Sequence, residues 1–185
     1  MAIDCHPLTP ERWDDFEDLF GKNGACSGCW CMWWRLKRAE WERMAYDGNR
    51  AAFKAIVAAG PPPGVLAYEG AKAIGWVQVS PRADLPVLDR SPILKPVDDL
   101  PVWSVSCFFI RRGYRRQGLT GRLIDAAADF ARGQGATMLE AYPWDTDETK
   151  SGGTIFTGHA HSFAAAGFET VLRRRPHRPI MRRAV

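Results

Sequence analysis

The sequence predicts an α+β domain in which helices flank a mixed central sheet. Helical patterns come first along the chain, a β-hairpin pattern follows, and the remainder alternates strand, helix, strand, helix and strand. This order of elements is typical of an α+β domain rather than of separate helical and β domains. With 185 residues the chain is long enough for a substantial core, and we predict one domain over residues 1–185.

Composition excludes several classes of protein. Hydrophobic residues at 46% and charged residues at 25% are ordinary for a soluble globular protein. No apolar run approaches the length of a bilayer, and Asp4, His6 and Pro7 interrupt the N-terminus, so we expect no membrane partner and no signal peptide. A net charge of +4 is too small to indicate nucleic-acid binding. Five cysteines, an odd number without a secretory context, predict a reducing cytoplasm.

The first 64 residues show helical patterns separated by loops. Thr9 is typical of an N-cap, Pro10 of the first helical position and Gly21 of a helix end, so residues 8–20 are predicted as a helix. The segments predicted after it are a Cys- and Trp-rich loop at 24–34, short helices at 35–46 and 49–59 with a break at Asp47-Gly48, and a proline connector at 60–64.

The rest of the chain carries most of the predicted sheet. Residues 102–110 are rich in β-branched and aromatic side chains without Pro or Gly, which predicts a buried central strand. The other predicted segments are hairpin strands at 65–68 and 73–79, a long polar loop at 80–100, a helix at 123–132, a strand at 136–142, a loop at 145–158, a helix at 159–166, and strands at 168–173 and 179–183.

Residues 114–122 join the central strand to the following helix and predict an anion site. A Gly-containing loop at a helix N-terminus brings unpaired backbone N–H groups and the positive end of the helix to one place. Four arginines, Arg111, Arg112, Arg115 and Arg116, crowd this approach. The spacing matches neither a nucleotide-triphosphate loop nor a dinucleotide-binding loop, so the predicted ligand is a different phosphate compound.

The segment Arg115-Arg-Gln-Gly-Leu-Thr120 resembles the Arg/Gln-x-x-Gly-x-Gly/Ala signature of the GCN5-related N-acetyltransferase (GNAT) superfamily. Thr120 departs from the small residue usual at the last position, although Gly121 follows it. The resemblance implies the GNAT fold with splayed central strands, a helical acceptor-side segment at 1–60 and a cofactor-binding core at 65–168. It also implies acetyl-coenzyme A as co-substrate.

The resemblance assigns two groups of residues to acetyl-coenzyme A. Strand backbone at Phe108, Phe109 and Ile110 would hydrogen-bond the pantetheine arm, while the same side chains pack in the core. The loop after the strand would bind the pyrophosphate, and its residues are Arg115, Arg116, Gln117, Gly118, Leu119, Thr120 and Gly121. Gly118 matters most, because a Cβ there would hinder the approach of backbone to ligand.

The resemblance implies a candidate general base, but the residue that the family uses as general acid is missing from this sequence. Glu140 matches the strand carboxylate that some members use as general base, and its alternative is a surface position on a half-buried strand. The family's acid Tyr in Tyr-x-x-x-Gly-Phe is replaced here by Phe163. Ser162, Tyr142 and His161 are the possible substitutes, and we name Ser162 with Glu140 as the catalytic candidates.

Three interpretations of the Cys- and Trp-rich loop stay open. Cys26, Cys29 and Cys31 have zinc-like spacing, but no second ligand pair follows, so we expect no metal. Buried thiols among aromatic residues are the plain alternative. In the third interpretation the loop lines the acceptor pocket, and its substrate-binding residues are Trp30, Trp33, Trp34, Arg35 and Tyr142.

The leading functional hypothesis is an acetyl-coenzyme A-dependent N-acetyltransferase, working by direct attack in a ternary complex. The acceptor is an amine of a small molecule or a protein, and the enzyme is a monomer or a homodimer. A non-catalytic acyl-coenzyme A-binding module is the alternative that Phe163 suggests. A metal or redox regulator based on the three loop cysteines is a further alternative.

Overall fold

A computed structural model describes residues 3–146 and 155–185. In these residues seven strands form one mixed sheet. The sheet order is β1-β2-β3-β4-β5-β7-β6, in which only β4 and β5 are parallel neighbours. The strands are β1 (Ile3–Pro7), β2 (Gly64–Glu69), β3 (Lys72–Pro81), β4 (Trp103–Ile110), β5 (Met138–Ala141), β6 (Glu169–Arg175) and β7 (Arg178–Ala184). The helices are α1 (Trp13–Phe20), α2 (Arg38–Ala59), α3 (Pro86–Arg90), α4 (Leu119–Gly133) and α5 (Ala160–Ala165).

Helices cover both faces of the sheet and enclose two hydrophobic cores. On one face, α4 and α5 pack on the strands through aliphatic side chains such as Leu123 and Ile124. On the other face, α1 and α2 enclose an aromatic core around Trp76 and Phe16, both of which are fully buried. The order of elements and the mixed sheet confirm the α+β fold predicted from the sequence. No helix within the described ranges is long and apolar enough to span a bilayer.

Several predicted elements differ in detail from the structure. β1, which is not among the predicted segments, lies at the edge of the sheet and pairs with β2. Non-helical backbone at Ala45, where φ is 49°, divides α2 into the two predicted helices, and the break lies two residues before the predicted Asp47-Gly48. The polar loop at 80–100 contains α3, which begins at Pro86 and buries Leu88. In each case a tertiary contact decides the conformation where the local pattern was weak.

β4 and β5 part halfway along β4, which produces the predicted splay. Their pairing covers only Trp103 to Val105 of β4, because β5 ends at Ala141. Ser106 has no partner residue in β3, where the register shifts between Gln78 and Val79. Such a bulge changes the face that the following side chains occupy and bends the strand. The second half of β4 therefore has an edge that β5 does not cover.

A buried ion cluster lies beside the last paired residues of β4 and β5. Glu140 is completely buried, and its carboxylate accepts hydrogen bonds from Arg82 (2.9 Å), Arg182 (2.8 Å) and the Tyr142 hydroxyl (2.8 Å). The Tyr142 hydroxyl also lies 2.7 Å from the Ser104 hydroxyl of β4. Burial raises the pKa of Tyr142, so the hydroxyl stays protonated and donates a hydrogen bond to the carboxylate. The cluster thus ties β4, β5, β7 and the segment after β3 together.

This cluster predicts that Glu140 is needed for stability. We expect Glu140→Gln to lower the free energy of unfolding by about 3 kcal/mol, because two buried guanidinium groups would lose their shared counter-charge. Asp129→Asn is the control, since its ion pair with Arg132 is exposed and should contribute less than about 1 kcal/mol. Urea unfolding of both variants measures the difference. A stable Glu140→Gln protein with a reduced kcat would instead support the role of general base.

Candidate active site

A cavity of about 750 Å³ lies at the uncovered half of β4. Its walls come from four separate parts of the chain: the segment 20–41, the second half of β4, the loop that precedes α4, and the segment 155–162. The parting of β4 from β5 opens this space, and the helical segment closes it from the other side. The predicted cofactor and acceptor sides of the site therefore meet in one cavity.

The loop before α4 presents a row of unpaired backbone N–H groups. Gly118 is left-handed with φ 76°, and α4 begins directly after it at Leu119. Within residues 3–146 and 155–185, the N–H groups of residues 116–120 have no hydrogen-bond acceptor. The Arg115 guanidinium braces the loop by donating from Nε to the carbonyl oxygen of Ile110, at 2.9 Å. The N–H groups and the positive end of a 15-residue helix together form a site for an anion.

Other parts of the chain bond the edge of β4 that β5 leaves uncovered. The backbone N–H of Phe108 donates to the carbonyl oxygen of Phe156 at 2.6 Å. The carbonyl oxygen of Ser106 accepts a hydrogen bond of 3.1 Å from the indole of Trp34. A segment beyond β5 and a side chain from the helical half thus replace β5 along this edge.

Most of the predicted cofactor residues lie in or next to the cavity wall. Those that line it are Phe108, Phe109, Ile110, Arg115, Arg116 and Thr120. Gln117, Gly118 and Gly121 belong to the same loop and helix start, whereas the Leu119 side chain is buried in the core beneath α4. The structure brings these residues together, and their contact with acetyl-coenzyme A stays a prediction.

The predicted acceptor residues divide into two groups. Trp33 and Trp34 line the cavity. Trp30 is buried against Phe20 in the aromatic core, and Tyr142 belongs to the Glu140 cluster. Arg35 points to the segment after β3, where it donates to the carbonyl oxygen of Asp84 and the Ser80 hydroxyl.

Two acceptor-side residues were missed from the sequence. Arg38 and Trp41 line the cavity beside Trp33, at the start of α2. Their signal is the spacing of three, which places both on one face of a helix.

Four thiols also line the cavity, from Cys26, Cys29, Cys31 and Cys107. Cys31 accepts a hydrogen bond from the Trp76 indole at 3.1 Å, and its sulfur lies 4.0 Å from that of Cys107. Burial raises the pKa of Cys29 to about 12 and that of Cys31 well above its usual range. No three His, Cys, Asp or Glu side chains of the described residues converge as metal ligands.

The predicted catalytic residues lie in different environments. Ser162 of α5 lines the cavity, and its hydroxyl lies 3.3 Å from Nε2 of His161. Glu140 is enclosed by its two arginines and does not belong to the cavity wall. Phe163, at the position of the family's acid Tyr, is fully buried against Phe108. Both carboxylate oxygens of Glu140 therefore already accept hydrogen bonds within the protein.

His159 is a cavity-lining group that sequence reasoning did not select. It precedes α5, and the backbone on either side of it is held by Trp144, which bonds Gly158 and Ala160 at 2.9 and 2.8 Å. Burial, and then the neighbouring His161, lowers the pKa of His159 below its usual 6.5. The imidazole is therefore neutral at pH 7 and able to accept a proton.

Comparisons with known proteins agree with this geometry. Residues 30–150 match the model of the acetyltransferase (GNAT) family. No curated protein sequence matches the chain.

Solved structures share the fold at low sequence identity. A GNAT-family acetyltransferase from Listeria monocytogenes is 10% identical with a TM-score of 0.59, over 99% of this chain and 95% of that one. The PaiA N-acetyltransferase of Thermoplasma acidophilum, solved with coenzyme A, is 11% identical with a TM-score of 0.54 over 100% of both chains. The polyamine N-acetyltransferase of Drosophila melanogaster, which forms N-acetylagmatine, is 10% identical with a TM-score of 0.54, over 100% of this chain and 99% of that one.

The family match covers well over half of the chain, and the sheet, the splay and the anion loop agree with it. The resemblance found in the Arg115–Thr120 segment is thereby confirmed. The chain belongs to the GNAT family of acetyltransferases.

Proposed function

We propose that the protein transfers an acetyl group from acetyl-coenzyme A to an amine of a small molecule or a protein. The observation that carries this proposal is a single cavity with an anion loop at one end and an aromatic acceptor wall at the other. Both substrates then meet beside β4, which supports direct attack in a ternary complex. Residues 65–168 form the cofactor side and residues 1–60 the acceptor side of this proposed arrangement.

The loop before α4 suits the pyrophosphate of coenzyme A. Its unpaired N–H groups supply hydrogen bonds, and the guanidinium groups of Arg115 and Arg116 add positive charge. The edge of β4 from Phe108 to Ile110 then lies in the direction in which a pantetheine arm would run toward the acceptor side. No metal has a role in this proposal, because positioning and proton transfer suffice for acetyl transfer to an amine.

His159 is the proton acceptor that we propose in place of Glu140. The amine must lose a proton before or during its attack on the thioester carbonyl, and the carbon–sulfur bond then breaks. A neutral imidazole in the cavity is suited to take that proton. Ser162 lies on the same side of the cavity, where its hydroxyl can hydrogen-bond the departing thiolate. The thiol of coenzyme A leaves with little further help, so the absence of a Tyr at position 163 does not prevent turnover.

The remaining predictions belong to the same proposal: a cytoplasmic enzyme, monomeric or homodimeric, that binds neither nucleic acid nor membrane. The alternative, a non-catalytic acyl-coenzyme A-binding module, would show binding without thiol release. A panel of amines assayed for release of free coenzyme A thiol separates the two. If no thiol is released with amino acids, polyamines or peptide amines while coenzyme A still binds, the result favours the binding module.

The left-handed position of Gly118 predicts the contribution of the anion loop. We expect Gly118→Ala to weaken coenzyme A binding about tenfold, because an alanine at φ 76° costs about 1–2 kcal/mol and shifts the loop. Gly113→Ala is the matched control, since a Cβ there meets nothing within 4 Å and the residue has no positive φ. Isothermal titration with coenzyme A measures both. Equal affinity of the two variants would contradict the assignment of the phosphate site.

The lowered pKa of His159 predicts the pH dependence of transfer. We expect kcat to fall as the pH falls through a pKa below 6.5, since protonated imidazole accepts no proton. The pH at which kcat falls should be the same for two acceptors whose amine pKa values differ, because the titrating group belongs to the enzyme. His159→Gln should lower kcat about 100-fold and abolish this fall.

His161→Ala is the companion variant. His161 lowers the pKa of His159, so its removal should move the acid limb to higher pH while activity at pH 8 is retained. If kcat falls at an unchanged pH in His159→Gln and in His161→Ala, His159 is excluded as the proton acceptor.

A further inference from the structure

Three side chains at the start of α2 form a group that we call the Arg38 corner: Trp33, Arg38 and Trp41. The two indole rings lie edge to face with centroids 5.4 Å apart. The Arg38 guanidinium carbon is 5.1 Å from the Trp33 ring and 5.5 Å from the Trp41 ring. All three side chains line the cavity. Contact with two aromatic faces holds a guanidinium in place without neutralising its charge.

The hydrogen-bonding capacity of Arg38 is only partly used. Its Nε donates to Glu42 at 2.6 Å in an exposed pair one helical turn away, and such pairs are weak. No acceptor among the described residues bonds its two terminal amino groups. Arg38 is also the first residue of α2. The corner therefore offers a forked pair of donors to a planar anion such as a carboxylate.

The wall next to the corner is aromatic. Trp34 packs against Trp33 and Phe156, at centroid distances of 6.5 and 5.9 Å. Its orientation is fixed by the hydrogen bond from its indole to Ser106 of β4. This wall leads from the corner to the point where β4 leaves β5. The aromatic ring of an acceptor whose carboxylate is held at Arg38 would lie against this wall.

We propose that the acceptor is an amine that also carries a carboxylate and an aromatic ring, as in an aromatic α-amino acid. Its carboxylate pairs with the free donors of Arg38, and its ring lies against Trp33 and Trp34. This inference rests on the proposed acetyl transfer and specifies the substrate class for it. A diamine or polyamine does not fit the corner, because its second ammonium group would meet the Arg38 charge.

The test is isothermal titration of the protein loaded with coenzyme A. L-Phenylalanine, phenethylamine and agmatine are the probes, since the first two differ only by the carboxylate. We expect L-phenylalanine to bind at least tenfold more tightly than phenethylamine, and agmatine more weakly than both. Arg38→Gln should abolish the preference for L-phenylalanine. Arg43→Gln is the matched control, because Arg43 is exposed on the same helix and does not line the cavity.

Glu42→Gln extends the test in the opposite direction. It removes the carboxylate that competes for Arg38, so L-phenylalanine should bind several-fold more tightly. The proposal is overturned if phenethylamine or agmatine binds as tightly as L-phenylalanine, if Arg38→Gln leaves the preference intact, or if L-phenylalanine does not bind.

Coenzyme A is titrated first, so that the two proposals fail separately. A protein that does not bind coenzyme A contradicts the proposed function, and L-phenylalanine titrated into the unloaded protein then still tests the Arg38 corner. A protein that binds coenzyme A but shows no carboxylate preference keeps the proposed function and loses the inferred acceptor class.

Discussion

Two arginines hold the carboxylate of Glu140 at the last place where β4 and β5 are still paired, and the rest of the site depends on this contact. Arg82 comes from the segment after β3 and Arg182 from β7, so one buried charge on β5 joins three parts of the chain. The Tyr142 hydroxyl extends the contact to Ser104 of β4. Immediately beyond, β5 ends and β4 bulges, and the two strands separate. The cavity forms because β4 pairs with β5 up to Val105 and has no β5 partner beyond that residue.

The two ends of the cavity obtain their charge in different ways. At the donor end, backbone N–H groups and a helix N-terminus supply partial charges that need no side chain, so a short Gly-containing loop suffices. At the acceptor end, a full charge on Arg38 is held by aromatic rings at the start of a second helix. Both ends are therefore positive, and the aromatic wall around Trp34 separates them. Two anionic groups, one on each substrate, fit such a distribution of charge.

Sequence reasoning located the sheet and the anion loop because their signals are local. The β-rich run of β4, the glycine loop and the periodicity of α4 lie within 31 consecutive residues, from Trp103 to Gly133. The acceptor side was predicted less well, since left-handed backbone at Trp30 and Cys31 sets the direction of the chain before α2 and no periodicity reports it. Glu140 shows the same limit. The sequence places Glu140 in a strand, but Arg82 and Arg182 are far from it along the chain and become its neighbours only in the folded protein.

The hydrogen bond between Phe108 and Phe156 affects how much the edge of β4 can contribute to the affinity for a ligand. A ligand arm that uses the Phe108 amide replaces an existing bond of 2.6 Å, and such an exchange adds little net free energy. The exposed loop amides before α4 have no competing acceptor in the described part of the chain, so a ligand displaces only water there, and an anionic acceptor makes the stronger hydrogen bond. We therefore expect the loop to supply most of the affinity for an anionic ligand, and the edge of β4 to align the rest of that ligand.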